Sequence, residues 1–255
     1  MRRAICVGIN DYGDPGLQLY GCENDAKDWA SLLRDVYEYR EPQLVVDGDA
    51  TRKNLLESIA RLARATQSGE AAVITFSGHG TWEPDGPPFD ELDGKDEAWC
   101  ARDGNLIDDD LRVALDAFPA DARLVIVSDT CHAGTVTRGP SLRAHARRRA
   151  ALNPTIGEAP CFVRPLTRAV FSPTPALGEV LLASCRSDEL SYDAQFEGRY
   201  NGAFSWHAID LLRRRPRQTY LQLWETLRLR LPSVDYPQTP QLEGGVEAVG
   251  RMVFE

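Results

Sequence analysis

Apolar residues along this chain form short continuous runs separated by amphipathic stretches. Six of these runs are rich in branched side chains and predict strands at residues 4–9, 44–46, 72–76, 124–127, 180–183 and 249–254. Because the runs are continuous rather than alternating, they are typical of strands that a parallel sheet buries on both faces.

The stretches between the strands carry apolar residues at helical spacing. The predicted helix faces consist of Ala26, Trp29, Leu33 and Val36, then Leu55, Ile59 and Leu62, then Phe204, His207 and Leu211. Thr51 is available as an N-cap, and Thr219 with Gln222 predicts a capping box ahead of one further helix. This alternation predicts an α/β three-layer sandwich, in which about six mostly parallel strands lie between helices on both faces.

The composition is that of a globular protein and excludes several classes. The 255 residues are 43% apolar and 26% charged, and we expect a single domain over residues 1–255. No window approaches the roughly 18 consecutive apolar residues of a membrane span. The apolar run after Arg3 is too short for a secretory signal, so we expect a cytoplasmic protein without membrane contact. Six cysteines without a CxxC pair argue against a disulfide framework.

Negative charge is concentrated in one segment of the chain. The formal net charge is −9, which argues against a nucleic-acid partner. Residues 83–110 contain eleven acidic and two basic residues, so the remainder of the chain is balanced. A solvated acidic loop and a cation-binding segment both fit this pattern.

Two of the predicted strands end in residues that can carry out acyl transfer. The strand at 72–76 runs into Ser77, Gly78, His79 and Gly80, and the strand at 124–127 runs into Asp129, Thr130, Cys131 and His132. Parallel sheets place their sites beyond the carboxyl ends of the strands, and a cysteine nucleophile needs a nearby base. We therefore predict Cys131 as nucleophile and His79 as base. The backbone N–H groups of Gly80 and Cys131 are candidate donors to the oxyanion of a tetrahedral intermediate.

Other interpretations of these residues stay open on spacing alone. A cysteine at a strand end is often a small buried hydrophobe, and a single histidine is often structural. His132 competes with His79 as the base, although adjacent residues at a strand end usually diverge in direction. Cys131, His79 and His132 could also be the zinc ligands of a metallohydrolase, but two adjacent residues are poorly placed to coordinate one ion.

Several ordered motifs of the sequence resemble those of the metacaspases, a family of caspase-like cysteine peptidases. The histidine motif reads Ser77-Gly78-His79-Gly80, and the cysteine motif reads Asp129-Thr130-Cys131-His132-Ala133-Gly134. Similar segments occur at residues 8–12, 21–26, 90–98, 107–111, 182–185, 202–204 and 237–241. The resemblance implies a monomeric, caspase-like cysteine endopeptidase that needs no cofactor for its chemistry. A catalytically silent scaffold is the alternative, although degenerate members usually lack the cysteine or the histidine.

The resemblance also implies a class of substrate. In metacaspases an aspartate of the first helix and the aspartate two residues before the nucleophile share a pocket, and these match Asp25 and Asp129. Two carboxylates in one pocket favour Arg or Lys, because a cation relieves their repulsion. We therefore predict protein or peptide substrates with Arg or Lys before the scissile bond. Ser77 is a candidate for the same pocket, although Asp25 could instead serve the helix dipole and Ser77 the backbone.

The same resemblance implies a calcium site. Many metacaspases are activated by Ca²⁺, and the matching carboxylates here are Asp96, Asp108 and Asp109. Hard carboxylate oxygens suit this ion, which we therefore consider a candidate activator. The family site also draws an aspartate from the loop after the nucleophile, where this chain has Arg138 instead. That departure weakens the expectation of calcium binding.

A long basic loop is predicted at about residues 135–178. It has no clear period and carries arginines at positions 138, 143, 147, 148, 149, 164 and 168. Loops of this length are commonly functional, and an enzyme that cuts after basic residues could process itself between Arg143 and Arg168. The alternative is a solvated loop that pairs with the acidic segment.

Overall fold

The computed structural model describes residues 2–84, 95–131, 162–164, 179–186 and 189–255, without the side chains of Lys95, Cys131 and residues 162–164. Most of the predicted basic loop, including Arg138, Arg143 and Arg168, therefore lies outside the described residues, and so does His132.

Eleven strands are present in the described part of the chain. They are β1 (Arg3–Gly8), β2 (Gln43–Val46), β3 (Ala71–Pro84), β4 (Lys95–Ala101), β5 (Gly104–Ile107), β6 (Arg123–Cys131), β7 (Phe162–Arg164), β8 (Val180–Ala183), β9 (Ser191–Phe196), β10 (Arg199–Gly202) and β11 (Gln241–Gly244). The main sheet has the strand order β11-β8-β6-β3-β1-β2. Neighbouring strands from β8 to β2 in this order pair in parallel, and β11 joins the edge antiparallel to β8. The mostly parallel sheet of six strands is confirmed.

One predicted strand is wrong. The run at residues 249–254 contains the end of a short helix and one isolated bridge between Met252 and Thr219, and the sixth strand is Gln241–Gly244 instead. The run is apolar because Val253 and Phe254 are buried in the core, where the Phe254 ring contacts four other aromatic rings. The true edge strand is only half-buried and contains one branched apolar residue, so its pattern gives no strand signal.

Six helices flank the main sheet in the described residues. They are α1 (Cys22–Tyr37), α2 (Arg52–Ala65), α3 (Asp108–Leu115), α4 (Ala203–Arg214), α5 (Tyr220–Leu227) and α6 (Val246–Val249). The Thr51 side chain accepts a hydrogen bond from the Asn54 N–H, and Thr219 and Gln222 form the predicted capping box. Within the described ranges, no helix combines the length and the apolar character that crossing a membrane requires.

Alternate residues of the buried strands face two separate hydrophobic cores. Cys6, Val73 and Val127 pack on one side with residues of α1, α4 and α5. Ile5, Ile74 and Ile126 pack on the other side with residues of α2 and α3. Because both faces of each central strand are covered, the apolar runs are continuous in the sequence. The predicted three-layer α/β sandwich is confirmed.

Two additions to the main sheet lie near the carboxyl ends of its strands. β3 continues past the sheet and pairs antiparallel with β4, which pairs with β5. β7, β9 and β10 form a separate antiparallel sheet, and β7 and β9 each contact β6. These short strands were not predicted. They surround the sheet edge at which the predicted site residues lie.

Candidate active site

The two predicted catalytic residues lie opposite each other on neighbouring strands. β3 and β6 pair in parallel with His79 in register with Cys131 and Ser77 in register with Asp129. Paired strands are separated by about 4.8 Å, so the pairing places His79 and Cys131 directly beside each other on adjacent backbones. Both strands extend beyond the apolar runs that predict them. Cys131 is the last residue of β6, and His79 is the last residue of β3 that pairs with β6 before β3 continues alongside β4.

The imidazole of His79 is oriented by the segment that follows β1. Its Nε2 lies 2.8 Å from the carbonyl oxygen of Leu17. A carbonyl oxygen only accepts, so Nε2 carries the proton and Nδ1 is the basic nitrogen of the neutral ring. The hydroxyl of Tyr12 accepts a hydrogen bond of 2.8 Å from the His79 backbone N–H, and the two rings lie 4.8 Å apart. Neither Leu17 nor Tyr12 was predicted at the site. A backbone carbonyl such as that of Leu17 has no signature in the sequence, and Tyr12 lies 67 residues from His79 along the chain.

Three polar side chains hold the segment that carries Tyr12 and Leu17. Asp47 Oδ1 accepts hydrogen bonds of 2.7 and 3.0 Å from the N–H groups of Asn10 and Asp11. Asn10 Oδ1 accepts from the Cys22 N–H at 2.9 Å, at the start of α1. Asp193 on β9, which is fully buried, accepts from the N–H groups of Tyr20 and Gly21 at 2.8 and 3.1 Å. The orientation of His79 therefore depends on distant parts of the chain.

Asp25, Asp129 and Ser77 are brought together, as the sequence predicts. Asp25 and Asp129 are 0% and 1% exposed. Asp25 accepts hydrogen bonds from Ser77 Oγ at 2.5 Å and from the Gly202 N–H at 2.9 Å. Asp129 accepts from Ser191 Oγ at 2.8 Å and from the Ser205 N–H at 3.0 Å. We call Asp25, Asp129 and Ser77 the carboxylate pocket.

Gly202 lies between the two carboxylates. A Cβ atom at this position would be 2.2 Å from Asp129 Oδ2 and 2.9 Å from Asp25 Oδ2. The two Oδ2 atoms therefore face the same small space. Gly202 is the N-cap of α4 and Ser205 lies in its first turn, so both carboxylates receive N–H groups from one helix start. The partial positive charge of that helix end therefore lies beside both carboxyl groups.

Comparison with known proteins identifies the family. A model of the metacaspase family, described as metacaspase, peptidase C14 domain, matches residues 2–140, which include the histidine and cysteine motifs. The chain belongs to the metacaspase family. It is therefore a cysteine-type endopeptidase of family C14.

Individual relatives agree with this assignment to the metacaspases. The chain is 29% identical to Metacaspase-1A of Aspergillus niger, an alignment that covers 94% of this chain and 69% of the relative. It is also 29% identical to Metacaspase-1 of Coccidioides immitis, where 94% of this chain aligns with 61% of the relative. A crystal structure of a Geobacter sulfurreducens protein superposes with a TM-score of 0.70 at 25% identity, covering 99% of this chain and 98% of that one.

Four other cysteines of this metacaspase are buried and unoxidised. They are Cys6, Cys22, Cys100 and Cys185. Burial raises the pKa of Cys6 and of Cys100 to about 12, so neither thiol forms a thiolate near neutral pH. Cys22 and Cys185 are 0% and 1% exposed, which is typical of cysteines that pack in a protein interior.

The predicted calcium ligands of the metacaspase lie near one another at the β4–β5 extension. Asp96 is buried on β4, and Asp108 is buried at the start of α3, directly after β5. Ala98 pairs with Ile107, so the register brings Asp96 close to Asp108 and Asp109. Among the residues that the structure describes, no three acidic, histidine or cysteine side chains form a group that could hold a metal ion. Calcium binding stays a prediction.

Proposed function

We propose that this metacaspase cleaves peptide bonds after Arg or Lys, with Cys131 as nucleophile and His79 as base. The observation that carries the proposal is the pairing of His79 with Cys131 at the carboxyl ends of β3 and β6. Cys6 and Cys100 are poor alternatives, because burial keeps their thiols protonated.

The proposed reaction proceeds through a thioester. Nδ1 of His79 accepts the proton of the Cys131 thiol, and the sulfur attacks the carbonyl carbon of the scissile bond. The Leu17 carbonyl, which accepts from Nε2, stabilises the imidazolium that forms. The backbone N–H groups of Gly80 and Cys131 donate to the oxyanion. The imidazolium then gives its proton to the leaving amine, and water hydrolyses the thioester to a carboxylate product with release of the thiol.

The specificity part of the proposal is supported by the carboxylate pocket. The hydroxyl and N–H donors around Asp25 and Asp129 are neutral, so they hold the carboxylates without cancelling their charge. An Arg guanidinium can donate hydrogen bonds to both carboxylates, and a Lys ammonium can bridge them. An aspartate side chain would be repelled, which disfavours the specificity of animal caspases.

A peptide assay tests the proposal. Wild type, Cys131→Ala and Cys100→Ala are assayed on fluorogenic peptides that end in Arg, Lys or Asp. We expect turnover of the Arg and Lys peptides that Cys131→Ala abolishes and that Cys100→Ala, the matched control on β4, retains. Turnover of the Asp peptide alone would refute the specificity. Absence of turnover on every peptide, with protein shown to be folded, would instead favour a scaffold.

Calcium activation is a further part of the proposal. It is supported by the resemblance to calcium-activated metacaspases and by the position of Asp96 on β4, beside the strand β5 that leads into Asp108 and Asp109. The peptide assay is repeated with Ca²⁺ and with a chelator. Equal rates in both conditions would refute calcium activation without affecting the other parts.

We also propose self-processing between Arg143 and Arg168 and a monomeric state in the cytoplasm. Seven arginines in residues 135–178 support self-processing by an enzyme that cuts after basic residues. Wild type and Cys131→Ala are incubated with calcium and compared on a denaturing gel. The same single band in both would refute self-processing, and a dimer mass in light scattering would refute the monomer.

A further inference from the structure

Asn201 connects the carboxylate pocket to a second acidic residue of α1. Its side chain lies on β10 and is 0% exposed. The Nδ2 atom donates to Asp25 Oδ1 at 2.9 Å and to Asp28 Oδ2 at 3.0 Å. Arg199, two residues earlier on the same strand, donates to both carboxylate oxygens of Asp28 at 3.0 and 2.9 Å. One amide therefore bridges two carboxylates on adjacent turns of α1.

The oxygen of the same amide indicates why this position carries an asparagine. Within the described residues Asn201 Oδ1 is buried and has no hydrogen-bond partner. A buried acceptor without a donor lowers the stability of a fold, and native proteins contain few of them. An apolar or hydroxyl side chain of similar size would fill this position without that cost. The donors of the amide, rather than its packing, therefore account for an asparagine here.

The bond to Asn201 sets the orientation of the Asp25 carboxylate. Asn201 Nδ2 binds Oδ1, whereas Oδ2 accepts from Ser77 and faces the space at Gly202 that it shares with Asp129. Oδ1 is held by the amide and by the Gly202 N–H, both at 2.9 Å, so the other oxygen stays on the side of Gly202 that it shares with Asp129.

The charges around Asp25 come from several elements. Asp28 lies on α1, Asp129 on β6, Asp193 on β9 and Arg199 on β10. Arg199 pairs with Asp28, and the neutral amide of Asn201 stands between that ion pair and Asp25. The amide thus holds Asp25 in place and leaves the negative charge of the carboxylate pocket available to a ligand.

We propose that Asn201 is a positioning residue that determines the affinity of the carboxylate pocket for basic side chains by orienting Asp25. The inference rests on the proposed function, because it assumes that this pocket receives the Arg or Lys of the substrate. Asn201 touches no reacting atom, so it contributes to binding of the basic side chain and little to the chemical step.

Two variants of matched shape test the role of the amide. Asn201→Val removes the donor, and Asn201→Thr has the same shape but keeps one hydroxyl donor. Asn24→Leu is the control, because Asn24 Nδ2 also links α1 to β10, through the Tyr200 carbonyl at 2.8 Å, without contacting a pocket carboxylate. Each is made in the wild type and in Cys131→Ala, and folding is checked by thermal melting.

Binding and kinetics are measured separately. Calorimetry on the Cys131→Ala proteins measures the Kd of benzamidine, an amidinium probe of the pocket. We expect Asn201→Val to raise the Kd about tenfold relative to Cys131→Ala alone, and Asn201→Thr to raise it by a smaller factor. Asn24→Leu should leave the Kd unchanged, because only the change at position 201 removes a hydrogen bond to a charged group. In the active proteins, KM for the Arg peptide rises by a similar factor while kcat changes less than about threefold.

The outcomes separate the inference from the proposed function. Equal effects of Asn201→Val and Asn24→Leu, or a loss in kcat with unchanged KM, would overturn the positioning role alone. If Asn201→Val does not fold, unchanged benzamidine binding by Asn201→Thr overturns it. No benzamidine binding by Cys131→Ala with Asn201 intact would overturn the basic pocket and the inference with it, whereas cysteine-dependent peptidase activity could still be present.

Discussion

Gly202 is the position at which a single methyl group should disturb the carboxylate pocket most. In Gly202→Ala the new Cβ would lie 2.2 Å from Asp129 Oδ2 and 2.9 Å from Asp25 Oδ2, whereas ordinary contacts of a Cβ atom begin at 3.4 Å. The Asp129 carboxylate must therefore move by more than an ångström, or α4 must shift away from β6. Either change weakens the hydrogen bonds that the start of α4 donates to the carboxylates.

The size of the effect follows from what holds those carboxylates. Asp25 and Asp129 are buried and accept hydrogen bonds from Ser77, Ser191 and the start of α4, so they cannot move without weakening these bonds. Overpacking a tight site costs about 1–3 kcal/mol. A weakened hydrogen bond to a charged group adds about 1.5 kcal/mol. We expect a loss of about 2.5–4.5 kcal/mol in the free energy of unfolding, which lowers Tm by about 5–10 °C.

Activity should fall more steeply than stability. Misplacing a substrate-binding group by about 1 Å can reduce a rate about a hundredfold, so we expect a loss of that order in kcat/KM for the Arg peptide well below Tm. Gly104→Ala is the control, because a Cβ there meets no atom within 4 Å. If Gly202→Ala keeps both kcat/KM within about twofold and Tm within about 2 °C of wild type, the crowded pocket described here is wrong.

Two further predictions concern an ion pair and the buried thiols. Arg112 on α3 donates two hydrogen bonds of 2.9 and 2.7 Å to Glu179, which is 1% exposed. Because Arg112→Leu leaves the buried carboxylate without this partner, it should lower the free energy of unfolding by about 3–5 kcal/mol, measured by urea denaturation. Asp116→Asn, which removes the exposed partner of the same arginine, should cost less than about 1 kcal/mol, and equal losses would contradict this account. Burial raises the pKa of Cys6 and Cys100 to about 12, so at pH 8 both stay protonated, and iodoacetamide should leave them unmodified in peptide mass spectra of the native protein. Labelling at the rate of unfolded protein would refute that prediction.

The central sheet could be predicted because burial on both faces imposes a pattern on each strand. Residues of β1, β3 and β6 alternate between the two cores, so every position must be apolar and the runs are continuous. The edge strand β11 escapes this constraint, since its residues are half-buried or exposed. The apolar run at 249–254 was predicted as a strand because its side chains are buried in the core. It makes only one isolated bridge, so its composition is that of a buried strand although it does not pair as one.

The candidate site was predictable where side chains carry its chemistry. Motifs at strand ends and helix starts contain Asp25, Ser77, His79, Asp129 and Cys131. The pairing of β3 with β6 sets His79 opposite Cys131 and Ser77 opposite Asp129, and Ser77 donates a hydrogen bond to Asp25. The remaining parts of the site are backbone groups, which any residue type can supply, and side chains such as Tyr12, Ser191 and Asn201 that reach it from other elements. A second gap arises from the hairpin of β9 and β10, whose short strands have no clear alternation.

Gly202 ends strand β10 of that hairpin and is also the N-cap of α4. A helix N-cap usually carries Ser, Thr, Asp or Asn, whose side chain accepts from the first N–H groups of the helix. Here the N-cap is glycine, and the acceptors come from α1 and β6 as Asp25 and Asp129. A capping side chain at position 202 would occupy the space of those carboxylates. The glycine is therefore required by the pocket rather than by the helix, and the helix start in turn donates N–H groups to both carboxylates.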